Sequence, residues 1–373
     1  MNVLIAGDFC PQARVRQLCE EGKYAEVLGD ARKIIEKADF SIVNLECPVT
    51  SGNEHPIHKK GPSLQCSEKG VEAIKWGGFD CCTLANNHFL DYGVEGVINT
   101  LETCKKHGLV TVGGGMNLEE ASQMLCQKIE GKTLAVINCC ENEFSIASET
   151  EAGANPLNPV RQYYAIREAR TKADHVLVIV HGGHEHWQLP SMRMRETYRF
   201  FIDAGADAVV NHHQHCFSGY ETYKEKPIFY GLGNFCFDMP GRNGAIWNEG
   251  YMVQLQFADS VGFSIIPYMQ CLDKPNVMIK EMHAYDKRLQ ELNSIIGNPE
   301  LLRMHQDWYY RQGETSYLQI FEPLDCRLFR ALRKRRLLPF FISKRRKLMA
   351  MDFIQCESHR DRLIYHLNRK YPE

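Results

Sequence analysis

Six short apolar runs, each ending in a small or polar cluster, predict an α/β fold. Residues 3–6 run into Gly7-Asp8, 40–43 into Asn44-Leu45-Glu46, and 80–84 into Asn86-Asn87-His88. Residues 176–180 run into His181-Gly182-Gly183, 208–210 into Asn211-His212-His213-Gln214-His215, and 228–232 into Gly233-Asn234. Each run has strand length and is almost wholly apolar, the pattern of a strand buried on both faces. Helical periodicity fills the intervals at 25–37, 67–76, 94–107, 159–172 and 191–204. Alternation of strand and helix is the mark of a layered α/β domain.

In such sheets the carboxyl ends of the strands share a rim, and sites form there. The residues that close the six runs are expected to meet although about two hundred positions separate them. Asp8 closes the first; a strand-end Asp is also a common helix N-cap. Glu46 closes the second. Asn87 and His88 close the third, where a turn filled with Asx hydrogen bonds is the plainer use of the asparagines. His181 closes the fourth and leads into a polar loop with His184, Glu185 and His186. His212, His213 and His215 close the fifth. Three histidines in four positions are hard to explain by packing, and a spacing of two puts His213 and His215 on one side of an extended segment. Carboxylate, carboxamide and imidazole are ligands for divalent Mn, Fe or Zn.

Past residue 240 the texture changes. Residues 251–257 and 262–270 read as two antiparallel strands that finish a sheet. From about 275 the chain is helical and charged, with helices expected at 286–296, 299–310 and 351–369. The division expected is 1–272 for the α/β domain and 273–373 for a helical, basic extension. Across its 373 residues, 44 Lys and Arg stand against 46 Asp and Glu, which argues against a global attraction to nucleic acid. Hydrophobic residues make up 44% and charged residues 24%, which excludes a disordered or collagen-like chain. The fifteen cysteines are odd in number and form no CxxC pair, so buried free thiols are expected rather than a disulfide framework or zinc ribbon. No apolar stretch reaches 18 residues, and the first residues lack the basic start of a signal peptide. A cytoplasmic location is expected.

The ordered set Gly7-Asp8, Asn44-Leu45-Glu46, Asn86-Asn87-His88 with Asp91 and Gly93, His181-Gly182-Gly183-His184-Glu185, His212-His213-Gln214-His215 and Gly231-Leu232-Gly233-Asn234 resembles the calcineurin-like metallophosphoesterases. It resembles more closely their CapA branch, named for capsule and poly-γ-glutamate biosynthesis. The resemblance covers roughly residues 1–240 and implies a four-layer sandwich, two mixed β-sheets flanked by helices, with the helical C-terminal extension appended. It implies that Asp8 and His215 bind a first metal ion and that Glu46 bridges to a second. Asn87, His181 and His213 would complete the second. His88 would be the general acid, and Glu185 would touch substrate. Many members carry a His where this chain has Cys10, so one or two divalent ions are expected. Asn211 replaces an expected Gly before the histidine pair, and Asn tolerates positive φ.

His184 and His212 are expected near the ligands or the substrate. Arg193 and Arg195 are candidate anion clamps or a solvated helix face. The loop Lys59-Lys60-Gly61-Pro62 is a candidate rim for an anionic small molecule or polymer. Residues 326–349 carry ten Lys or Arg among apolar side chains. That stretch, broken by Pro339, reads as an apolar face packed on the core with its charges solvated, as a membrane-surface contact, or, least well, as a nucleic-acid contact, a partner that is not expected. The function implied is a metal-dependent hydrolase, with metal-bound hydroxide attacking a phosphoester or a bond of an anionic polymer and His88 protonating the leaving group. The alternative is a non-catalytic, metal-containing accessory protein of capsule synthesis.

Overall fold

Asn2–Phe9 forms the middle of the larger sheet in the computed structural model, which describes residues 1–239, 241–242, 244–312, 332, 335, 337 and 343–370. Val3 and Ile5 face a core shared with the second sheet, whereas Leu4 and Ala6 face the helices on the outside. The strand is apolar throughout because it is covered on both sides. Phe40–Leu45, Cys81–Thr83 and Val110–Val112 follow it in parallel on one flank. Glu249–Phe257, Val261–Gln270 and Val277–Ile279 follow antiparallel on the other, and Asn234–Cys236 pairs alongside Asn2–Phe9. The second sheet runs Tyr220–Tyr223, Lys226–Phe229, Ala208–His212, His175–His181, Lys132–Cys140, Leu125–Ile129. Both sheets mix parallel and antiparallel pairs, as expected.

The outer layers follow from the helical stripes. Ala13–Glu20, Tyr24–Ile35, Glu68–Trp76 and Gly93–Lys106 bury Val15, Leu28, Ile74 and Val97 against the first sheet. Pro159–Lys172 and Met192–Ala204 bury Ile166 and Tyr198 against the second. Ser67, Asn158 and Ser191 cap three of these helices with side-chain oxygens, supplying partners for otherwise unpaired N–H groups.

Three expectations change in detail. The first sheet continues to Ile279, past the boundary expected at 272, because Tyr268 to Gln270 pair with Val277–Ile279. The last helix is two, Lys344–Gln355 and Glu357–Lys370. Cys356 between them is extended, and Glu357 turns away to accept from the backbone N–H and side-chain amide of Asn142. Asn211 sits inside its strand instead of at positive φ, its side chain accepting from Tyr198 and donating to the carbonyls of Gly182, His212 and Tyr230. The fourteen described cysteines are free thiols, and all but Cys126 are buried. No helix among the described residues is long and apolar enough to cross a membrane. Most of the basic stretch 326–349 lies outside the described residues, and its membrane-surface reading with it.

Gly7 lets the first strand approach the Gly233 turn. A Cβ on Gly7 would stand 1.9 Å from the Gly233 carbonyl oxygen, a backbone atom that cannot swing away. Gly7→Ala is expected to lower stability by about 1–3 kcal/mol, read as a lower denaturant midpoint. Gly29→Ala, where nothing lies within 4 Å of the added carbon, is the control and should be neutral or stabilising by about 0.4–1 kcal/mol.

Candidate metal centre

Strand register builds the site. Parallel pairing sets Asp8 opposite Asn44 on one side and Asn234 on the other. In the second sheet Cys140, His181 and His212 form one row. The rows confront each other: Asp8 Oδ1 lies 3.9 Å from His181 Nδ1 and 4.0 Å from His212 Nδ1. Asn44 donates to Asp8 Oδ1 at 2.7 Å, and the His213 backbone N–H donates to Asp8 Oδ2 at 3.2 Å. His215 Nδ1 is 3.9 Å from Asp8 Oδ2 and 2.8 Å from Asn234 Oδ1, which sets the ring.

Glu46 stands 3.7 Å from both His181 Nε2 and His215 Nε2. His181 Nε2 is also 3.0 Å from Asn87 Oδ1 and 3.1 Å from His213 Nδ1. Three buried donor groups result: Asp8, His181 and His212; Glu46, His181 and His213; Asp8, Glu46 and His215. The structure thus gathers all six sequence-nominated ligands and adds His212 beside Asp8. None of the three groups contains Cys10, whose Sγ accepts from the Gln12 amide at 3.3 Å. His213 and His215 do not lie on an extended segment. Both follow the strand in a turn with φ of 89° and 54°, so left-handed backbone rather than strand pleat aims them inward.

Both oxygens of Glu46 are sealed from water without a hydrogen bond. Burial, and then the charge of Asp8, push its carboxyl well above the usual range. His181 moves the opposite way: burial and then His213 hold it well below the ordinary imidazole range. Burial lowers His181, His212 and His215 toward the neutral form, and such imidazoles around a carboxylate pair without a Lys or Arg partner among the described residues fit a divalent ion. Orphaned buried acceptors of this kind cost free energy unless something supplies positive charge.

His88 sits at the edge of this cluster. Its Nδ1 is 2.7 Å from Asp91 and 3.0 Å from Lys59 Nζ, and Lys59 pairs with Asp91. Burial and then Lys59 lower its pKa. With His213 and Asn87 it floors a cavity of about 350 Å³. His184, Glu185, Lys59 and Lys60 line the same cavity, as the sequence suggested for the loop and the polar segment. His184 Nε2 lies 3.1 Å from the Tyr310 hydroxyl.

Sequence reasoning missed Glu143, Tyr309, Asp352, His359 and Arg362, which also line the cavity. Glu143 stands 3.7 Å from His213 Nε2, and burial, then Asp352, raise it to about 8. A signal for it exists, since residues 141–143 follow the run 134–140, apolar except for Asn138, much as the other clusters end theirs. The remaining four come from helices whose docking no local pattern announces.

Arg193 is a correction. It is not among the residues lining the cavity. Its guanidinium binds Glu141 and Asp361 at 2.6 Å each and Ser358 at 3.2 Å, and Ser358 also donates to Glu141 at 2.6 Å. Arg195 likewise faces Glu221, at 3.5 Å. Buried carboxylates near these helices draw in the guanidinium groups, so neither arginine is left as an anion clamp. The Arg193 network ties Glu357–Lys370 to the rim of the second sheet.

Removing one partner of a buried ion pair costs about 3–5 kcal/mol. Arg193 and Asp361 keep 25% and 21% of their side-chain exposure, so about 2 kcal/mol is expected for Arg193→Ala after screening. Amide hydrogen exchange across 357–370 should quicken by about 30-fold while the central strands keep their protection.

Residues 2–239 match the model of the bacterial capsule synthesis protein family PGA_cap. The PGA biosynthesis protein CapA of Bacillus subtilis (strain 168) is 32% identical over 241 residues, covering 64% of this chain and 63% of that protein. The capsule biosynthesis protein CapA of Bacillus anthracis is 30% identical over 246 residues, covering 64% and 60%. The match therefore spans about three fifths of each relative's own length. Among solved structures, a 5'-nucleotidase precursor from Thermus thermophilus aligns over 78% of this chain and 58% of its own, with 12% identity and a TM-score of 0.42, a likeness too low to bear on function. Well over half of the sequence fits the family model, so the chain belongs to the bacterial capsule synthesis protein family.

Proposed function

We propose that this chain is a divalent-metal-dependent hydrolase of an anionic substrate, a phosphoester or a unit of an anionic polymer, serving capsule or poly-γ-glutamate metabolism. The observation that carries the reading is the trio of buried donor groups that share Asp8, Glu46 and His181. Asp8, Glu46, Asn87, His181, His213 and His215 would hold one or two ions of Mn, Fe or Zn, with His212 beside Asp8. When bound, such ions acidify water and polarise the oxygen of the bond to be cleaved.

The chain's own groups supply the rest. Asn44 and Asn234 fix Asp8 and His215 by hydrogen bonds, so the donors need not reorganise. Asp91 accepts from Nδ1–H of His88, so the proton delivered to the leaving group is the second one, carried on Nε2 when the ring is the imidazolium. Lys59 pairs with Asp91, the carboxylate that holds the His88 ring. Glu185 and His184 line the cavity and orient the substrate. The names of the Bacillus relatives support the polymer branch of the reading.

Elemental analysis of protein purified without added metal should find one or two equivalents. Chelation should lower the thermal midpoint, and readded Mn²⁺ should restore it, because an ion that binds only the folded chain stabilises it. Loaded protein should cleave bis-p-nitrophenyl phosphate or a γ-glutamyl oligomer. His88→Ala should lose about 10²–10⁴ in kcat with its metal content unchanged. Full metal occupancy with no turnover of either substrate would replace this reading with the accessory, non-catalytic one.

A further inference from the structure

Glu357–Lys370 lies outside the residues that match the family, yet it builds one wall of the cavity. Two stripes of this helix have different partners. Ser358 and Asp361, three apart, meet Arg193. His359 and Arg362, the next pair at the same spacing, line the cavity. Residues three apart share a helix face, so the Arg193 contacts fix the rotation that brings His359 and Arg362 to the site.

The wall is braced. The Arg362 guanidinium lies 4.6 Å from the centre of the Tyr309 ring, and its Nη1 donates to the Tyr309 hydroxyl at 3.4 Å. Tyr309 stacks on Trp187 at 4.5 Å with the rings 5° from parallel, and its hydroxyl donates to the Glu185 carbonyl at 3.3 Å. Lys60 reaches Asp352 at 3.2 Å, and His359 stands 3.7 Å from the same carboxylate. In the lining, Lys59, Lys60 and Arg362 face Glu185, Asp352 and Glu143, the last held largely protonated at neutral pH by burial. Divalent ions at the neighbouring donors would add to the positive side. A cavity of about 350 Å³ has room for more than the group that reacts.

We propose that Arg362, with His359 and Lys60 beside it, binds a second anionic group of the substrate, one unit away from the bond that is cleaved. The C-terminal helix then selects substrates with two anionic groups over those with one. This inference rests on the metal-centre reading above, and its test separates the two.

Calorimetry on the Mn²⁺-loaded full chain compares two pairs of probes: inorganic phosphate with propane-1,3-diyl bisphosphate, and butyrate with glutarate. A charge-assisted hydrogen bond should tighten binding of the larger member of at least one pair by about tenfold or more. The pair that gains identifies the second anion as phosphate or carboxylate. Arg362→Leu should erase the gain, Arg362→Lys should keep part of it, and His359→Gln should reduce it less. The smaller probe's affinity should stay within about twofold throughout, since a substitution one unit away leaves its own site intact. Arg362→Lys keeps the test readable if Arg362→Leu does not fold. A gain that persists in Arg362→Leu, or no gain in either pair, overturns the proposal. Phosphate binding that ignores metal removal counts instead against the metal-centre reading.

Discussion

Two carboxylates sealed from water against a ring of buried imidazoles set the terms for this structure. Asp8 and Glu46 are 1% and 0% exposed, and burial, then the charge of Asp8, raise the cost of ionising Glu46. Nothing in an ordinary core rewards that arrangement. The surrounding framework holds it by register: Asp8 is fixed by pairing with Asn44 and Asn234, His181 by pairing with His212 and Cys140. The asparagines that take no direct place among the three donor groups keep the geometry, by holding carboxylate and imidazole from behind.

Much of this is legible because the burial of parallel strands writes itself into sequence as unbroken apolar runs. Each run announces its own carboxyl end, and the nominated ligands cluster at those ends. The family resemblance sorts ligands from the proton donor, a distinction that spacing alone does not make. What stays hidden is of a different kind. Arg193 reads as a clamp because the carboxylates that capture it, Glu141 and Asp361, lie 52 and 168 positions away. His213 and His215 read as strand residues because a spacing of two cannot reveal left-handed backbone. Tyr309, His359 and Arg362 belong to amphipathic helices whose polar faces look solvated until tertiary packing turns them toward a cavity.

The helical extension is accordingly more than an appendage to the sandwich. Its contacts converge on the corner where Lys132–Cys140 ends: Glu357 on Asn142, Ser358 on Glu141, Arg193 on Asp361. The shared part of the family supplies the donors, and the extension supplies a wall that faces whatever binds there. The cavity lining is thus drawn from both stretches of the chain, Lys59, Lys60, His184 and Glu185 from one and His359 and Arg362 from the other.

The donors also come from both sheets, from Asp8 near the start to His215 beyond the chain's midpoint. An ion held among them would act as a rivet through the sandwich, closing a loop of about two hundred residues and restraining the sheets from sliding apart. No nascent chain shorter than that span contains a full set of ligands. The full set of donors exists only where both sheets have met, so binding at this centre would be coupled to that packing.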